Sequence, residues 1–280
     1  MFSTSNSLRG LSLRGYAIAA SVGLATLAAA MPAGAADMPA PRAPVPTFVA
    51  QKDWSITVTP YLWAASLNGN AAVLGIHRPV DVPFRDTLKN LDFGFMGNVE
   101  YRQGSAGAYL NAEYTKVSNN AHLGPFNIGV SMRSALISAG FFYRVYEAGL
   151  GGNTVFGTPR VFAIEPTAGM RWTSMSARVH LGFFNVSERQ SWADPFVGAR
   201  FNYDLTDRWN LFVESDVGGF GAGSRFSINA QAVLGYRMLL AGYQTTFGVG
   251  YRVLKQDYRS GGFQWNVTQH GPLVGASIRF

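Results

Sequence analysis

The sequence contains no cysteine in 280 residues, which excludes disulfide frameworks and thiolate metal sites. It is also poor in charge: Asp, Glu, Lys and Arg make up 14%, against about 25% in ordinary soluble domains. Beyond the first 36 residues no window reaches about 18 consecutive apolar residues, so no membrane-spanning helix is expected. No Lys/Arg block occurs, which argues against nucleic acid as a partner. Histidine is scarce, and no His/carboxylate spacing suggests zinc and no Asp-rich loop an EF-hand. No metal and no cofactor are therefore expected. The glycine-rich run 218–223 lacks the Lys-Ser/Thr of a phosphate loop and reads as a flexible turn. Yet hydrophobic residues form 48% of the chain. An apolar chain without apolar runs must distribute its hydrophobicity by alternation.

The first residues carry Arg9 and Arg14, then an apolar stretch from Tyr16 to Ala30, then the small-residue segment Met31–Ala36. Basic, apolar and small residues in that order are the signature of a secretory signal peptide, predicted over 1–36 with cleavage after Ala35 or Ala36. Its removal takes away two arginines and no acid, lowering the formal charge from +7 to +5. A modest basic excess favours anionic surfaces, and lipopolysaccharide with its surrounding lipid is the nearest such partner for an exported chain. Residues 37–53 contain Pro39, Pro41, Pro44 and Pro46 and read as an extended periplasmic leader.

From Trp54 onward, period-two segments alternate with turn-rich breaks. Trp54, Ile56, Val58 and Leu62 oppose Ser55, Thr57, Thr59 and Tyr61; Val197, Ala199, Phe201 and Tyr203 oppose Arg200, Asn202 and Asp204. The pattern predicts about ten strands, near 54–66, 91–103, 106–118, 126–146, 160–178, 191–205, 208–218, 224–237, 242–258 and 263–280. A hairpin inside 67–90 would raise the number to about twelve. Apolar parity switches within 126–146 and again within 263–280, which suggests β-bulges near Arg133–Ser134 and His270–Pro272. The segments 103–106, 205–208 and 238–241 are expected as tight periplasmic turns. The segments 67–90, 119–125, 179–190 and 219–223 are expected as outer loops, and 146–159 as a long periplasmic one. The expected fold is all-β: a transmembrane antiparallel up-and-down barrel over 54–280, apolar face to lipid and polar face to the lumen. Trp54, Tyr101, Tyr114, Tyr203, Trp209, Tyr236, Tyr243 and Trp265 are candidates for interfacial girdles.

The chain closes on Gly275-Ala-Ser-Ile278-Arg-Phe280. A terminal aromatic, an apolar residue two before it and a glycine five before it resemble the C-terminal signal of outer-membrane barrels. Gly275, Ile278 and Phe280 then imply recognition by the barrel-assembly machinery. The runs Thr59-Pro-Tyr-Leu-Trp63, Asn90-Leu-Asp-Phe93 and Gly271-Pro-Leu273 resemble those of a poorly characterised family of proteobacterial outer-membrane barrel proteins. That resemblance implies a barrel in the outer membrane of a Gram-negative bacterium, and no catalytic motif travels with it.

The polar parity gathers Asp92, Glu100, Glu113, Glu165, Asp204, Glu214 and Asp216 with Arg102, Arg133, Arg144, Arg171, Arg200, Arg237, Arg252 and Arg279. Eight strands already leave an interior that side chains can fill, and buried charges must pair. These residues are expected either to plug the lumen as an ion-pair network or to line a narrow pore. The functional expectation is a structural barrel or a porin-like channel for small solutes, and not an enzyme. The alternatives are a surface enzyme, protease or lipid A-modifying, using His77, His122 and His180 with Asp81, Asp86 and Ser118, or a ligand-binding adhesin acting through 67–90 and 179–190. General acid–base chemistry needs a mutual geometry that the spacing of these residues does not supply.

Overall fold

The computed structural model describes residues 54–73, 76–123, 126–181 and 184–280, with side chains except at 73–76, 119–130 and 179–186. The expected signal peptide (1–36) and leader (37–53) lie outside the described residues. The elements are β1 Ser55–Trp63, β2 Ser66–Val73, β3 Ile76–Val82, α1 Phe84–Lys89, β4 Leu91–Gln103, β5 Ala106–Leu123 and β6 Phe126–Tyr143. They continue with β7 Tyr146–Asn153, β8 Pro159–Leu181, β9 Phe184–Asp204, β10 Trp209–Gly218, β11 Phe226–Leu240, β12 Tyr243–Ser260 and β13 Phe263–Arg279.

Ten of these strands form a closed antiparallel barrel in the order β1-β4-β5-β6-β8-β9-β10-β11-β12-β13, with β13 pairing back onto β1. Closure matters because an open edge would leave backbone N–H and C=O groups without partners in an apolar medium. The seam is completed by Phe280 N–H donating to Ile56 O at 2.8 Å. Both ends of the described chain therefore lie at one end of the barrel, together with the tight turns 104–105, 205–208 and 241–242. The other end, called the far end here, carries the longer strand extensions.

Three strands are additional to the barrel. β2 and β3 form a hairpin, so the strand signal inside 67–90 was real. It does not widen the barrel, because β2 pairs with the far-end extension of β13 (Ser66↔His270 to Ala72↔Gln264). β7 folds back on the start of β8 (Tyr146↔Ile164), which makes the expected long periplasmic loop 146–159 largely a hairpin. The expected outer loops 119–125 and 179–190 are mostly strand, since β5–β6 and β8–β9 pair out to Leu123↔Phe126 and Leu181↔Phe184. The turn expected at 238–241 falls at Ala241–Gly242.

The outer face is apolar in a broad belt. Leu62, Phe95, Val99, Phe141, Val197 and Val249 are exposed there, and Tyr101, Tyr143, Tyr203, Trp209 and Tyr243 gather towards the tight-turn end. Trp209 meets Tyr236 edge-on at 5.0 Å and Tyr243 meets Phe280 at 5.2 Å. Trp265 is a correction to the expected girdle: it points inward and is buried.

Neither expected bulge is present. The β5–β6 and β6–β8 ladders hold one register through Arg133 and Ser134, and β12–β13 holds one register through His270 and Pro272. The apolar parity switches because the interior itself changes character along the barrel axis. Near the tight turns it is polar and charged. Towards the far end it is apolar, so even-numbered Leu136 on β6 and odd-numbered Trp265 and Val267 on β13 turn inward into it. One cluster joins Trp63, Leu136, Leu254 and Leu273 as a collar; above it Met175, Trp192, Phe263, Trp265 and Val267 form a second. A bulge does occur between Leu91 and Phe93, where none was expected.

Candidate functional site

A ten-stranded barrel is slightly too wide for short side chains to meet across it, so the lumen is filled by long ones, chiefly arginine and glutamate. In the middle of the barrel a single network crosses six barrel strands. Tyr61 Oη donates to Asn111 Oδ1 at 2.9 Å, and Asn111 Nδ2 donates to Glu113 Oε1 at 2.9 Å. Arg252 Nη1 donates to the same Glu113 oxygen at 2.6 Å, and Arg252 Nε to Asn229 Oδ1 at 2.9 Å. Asn229 Nδ2 then donates to Asp216 Oδ2, which with Oδ1 also receives Arg171 Nη2, all at 2.8 Å.

A second layer lies nearer the tight turns. Arg102 grips Glu165 with both terminal nitrogens, at 2.7 and 3.1 Å, and Arg144 Nε adds a bond at 3.1 Å. Arg200 Nη2 reaches Glu100 Oε2 at 2.5 Å. Arg144 also pairs with Glu147, and Arg237 with Asp204. Aromatic rings cover the guanidinium faces: Arg200 lies 4.1 Å from the Phe142 ring centre and Arg252 lies 4.6 Å from that of Trp63. Such stacking suits arginine, whose planar cation is less strongly hydrated than an ammonium. Gly140 is what lets Tyr109 lie over this layer, since a Cβ there would stand 2.8 Å from the phenol ring.

Thirteen of the fifteen residues expected to form the lumen network face the interior: Glu100, Arg102, Glu113, Arg144, Glu165, Arg171, Arg200, Asp204, Glu214, Asp216, Arg237, Arg252 and Arg279. Two do not. Asp92 occupies the bulge of β4 and pairs with Lys116 at 2.9 Å, receiving Ser118 Oγ at 2.6 Å. Arg133 follows the unbroken register of β6 outward, opposite Lys116, and is exposed. Sequence reasoning also missed Asp194, fully buried, which accepts from Ser224 Oγ at 2.8 Å and Gln256 Nε2 at 3.1 Å. It shares the parity of Arg200 on β9, a signal that was available.

Between the ion pairs and the wall formed by β1, β11 and β13 lies a polar cavity of about 320 Å³, bordered by Thr57, Asn98, Arg171, Arg200, Glu214 and Ser277. A second cavity of about 700 Å³ lies at the far end, on the other side of the collar. Among the described residues no group of three or more acidic or histidine side chains is placed to hold a metal ion.

Among the described side chains, the structure does not bring the candidate catalytic residues together. His77 is exposed on β3, Asp81 accepts from Asn68 Nδ2, Asp86 belongs to α1, and Ser118 is bonded to Asp92. The side chains of His122 and His180 lie outside the described residues. At the C-terminal signal, Ile278 faces outward beside Val58, Gly275 packs inward on Tyr61, and Phe280 rests against Tyr243.

A closed antiparallel barrel, greasy outside and charged within, is the fold of outer-membrane β-barrel proteins. No family model matches the chain, and no curated protein matches it. Among solved structures it is similar to the outer membrane protease OmpT from Escherichia coli, at 7% identity and a TM-score of 0.49, over 81% of this chain and 96% of that one. It is similar to Ail, the attachment invasion locus protein of Yersinia pestis, at 11% identity and a TM-score of 0.34, over 82% and 100%. Neisserial surface protein A shares 12% identity at a TM-score of 0.32, over 82% and 98%.

Proposed function

We propose that this chain is an integral outer-membrane barrel of a Gram-negative bacterium whose lumen is a structural plug rather than an open pore. The observation that carries this reading is a pair of transverse bridges, Arg200–Glu100 and Arg252–Glu113, each joining barrel strands four places apart. Opposite charges held at hydrogen-bond distance leave no free field along the axis to select ions, and the Trp63–Leu136–Leu254–Leu273 collar adds an apolar constriction. The tight-turn end faces the periplasm and the far end faces outside. Exposed Arg133, Arg178 and Arg189 sit beyond the apolar belt at the far end, where phosphate groups of lipopolysaccharide supply the opposite charge. Gly275, Ile278 and Phe280 serve recognition by the barrel-assembly machinery.

The polar cavity of about 320 Å³ favours a second reading, a narrow channel for small solutes. Planar bilayers separate the two. Purified protein at moderate voltage is expected to give no discrete conductance, and reproducible steps would overturn the plugged reading in favour of the channel.

A further inference from the structure

Beyond Pro60 the barrel wall is not continuous. The β1–β4 ladder runs from Ser55↔Arg102 to Pro60↔Gly97 and stops, whereas β1 stays with β13 as far as Trp63↔Leu273. The chain then continues along β13 as β2 instead of returning to β4. Among the described residues, the Leu91–Met96 edge of β4 has no strand beside it on that side. The local sequence explains the parting. Pro60 has no N–H to give a ladder, and the bulge at Leu91/Phe93 bends the end of β4. The only element in the chain between β3 and β4 is α1, a helix of six residues with none buried, whose Leu88 is 54% exposed.

The far-end cavity passes through this gap. Its lining includes Trp63, Met96 and Leu136, which face the interior, and also Leu62 and Val274, which face outward in the apolar belt. Interior and exterior are therefore one continuous apolar space at this point. Below it, the collar and the ion pairs close the way down the lumen.

We propose that the gap is a lateral port through which an acyl chain of an outer-leaflet lipid enters the far-end cavity. The occupant follows from what the opening adjoins: Leu62 and Val274 belong to the belt that acyl chains cover, so a chain reaches the cavity without crossing water. A space of about 700 Å³ falls within the range of small-molecule sites, about 300–1,000 Å³. The lining is mainly apolar, which favours a hydrocarbon over water. Arg85 and Lys89, exposed on α1, offer positive charge to the headgroup that remains outside. The port rests on the membrane reading proposed above.

Quenching of Trp63 tests it. The full chain is reconstituted in vesicles of phosphatidylcholine brominated on the acyl chains. With six tryptophans present, the Trp63 signal is taken as wild type minus Trp63→Phe, both checked for insertion by vesicle flotation. Brominated chains are expected to quench this signal although Trp63 is an inward, buried side chain. Gly94→Phe should remove most of that quenching by filling the cavity; a Cβ at Gly94 meets nothing closer than the Leu91 side chain at 3.7 Å, so the barrel should tolerate it. Val197→Phe, on β9 across the barrel, should leave the quenching intact. Unquenched Trp63, or equal quenching in wild type and Gly94→Phe, overturns the port while the barrel still floats with the vesicles. A chain that does not float overturns the membrane reading and the port together.

Discussion

Arg252 Nη1 stands 2.6 Å from Glu113 Oε1 and ties β12 to β5 across the interior of the barrel. Each group is almost wholly withdrawn from solvent, so neither can be left alone at low cost. Removing one partner of a buried pair typically costs about 3–5 kcal/mol, because the other charge stays behind. Arg252→Ala and Glu113→Ala are each expected to destabilise by that order. The double variant should lose much less than the sum. Urea unfolding of the reconstituted barrel gives the cycle, and additive single losses would show that the pair is not coupled.

Two barriers lie in series along the axis, the ion-pair layers and the collar of Trp63, Leu136, Leu254 and Leu273. An apolar constriction blocks ions by excluding water even where no charge opposes them. Arg200→Ala with Arg252→Ala is therefore expected to remain silent in planar bilayers, and so is Leu254→Ser alone. Conductance should appear when the three changes are combined. Steps already present in the first variant would show that the collar holds no seal.

Ala241 and Gly242 close the β11–β12 hairpin with φ of 50° and 83°. A two-residue turn with both central φ positive favours Asn-Gly, and an alanine there sits in the costly left-handed region. Ala241→Asn is expected to raise stability by about 1 kcal/mol, read as a shift of the urea midpoint. A lowered midpoint would mean that the methyl group makes a contact worth more than the strain.

The β2–β3 hairpin is fastened to the wall by a short relay. Asn68 Nδ2 donates to Asp81 Oδ1 at 2.8 Å, which leaves Asn68 Oδ1 to accept from His270 Nε2 at 2.8 Å. The other ring nitrogen is hydrogen-bonded to Tyr251 Oη, 2.7 Å away. Asn68→Ala is expected to loosen the hairpin, and trypsin should cut faster after the exposed Arg85 and Lys89 that follow it. Unchanged cutting would show that the backbone ladder to β13 suffices.

The barrel was legible because lipid and lumen make opposite demands on alternate residues: Ile56, Val58 and Leu62 against Thr57, Thr59 and Tyr61 declare a strand by themselves. The same logic identified most of the lumen charges, Arg200 and Glu214 among them. It failed where one face meets two environments in succession. Met132 and Trp265 are apolar and lie on the inward parity, so parity alone read them as facing lipid and required bulges to explain the switch. Arg133 was misplaced by that invented bulge, and Asp92 by a real one that the sequence does not announce. The hairpin was visible in 67–90, but its partner was not, because nothing local in β2 specifies pairing with residues some two hundred positions away.

β13 pairs with β12 on one side and with both β1 and β2 on the other. The earliest described strands thus wait for the last one. Until residues 263–280 are in place, β1 and β2 have half their ladders missing and the cylinder has two bare edges, the state most open to pairing with other chains. Such long-range closure is slow. Loss of those eighteen residues would release the hairpin, the seam and the rim of the port at once, so damage there should act on the whole molecule.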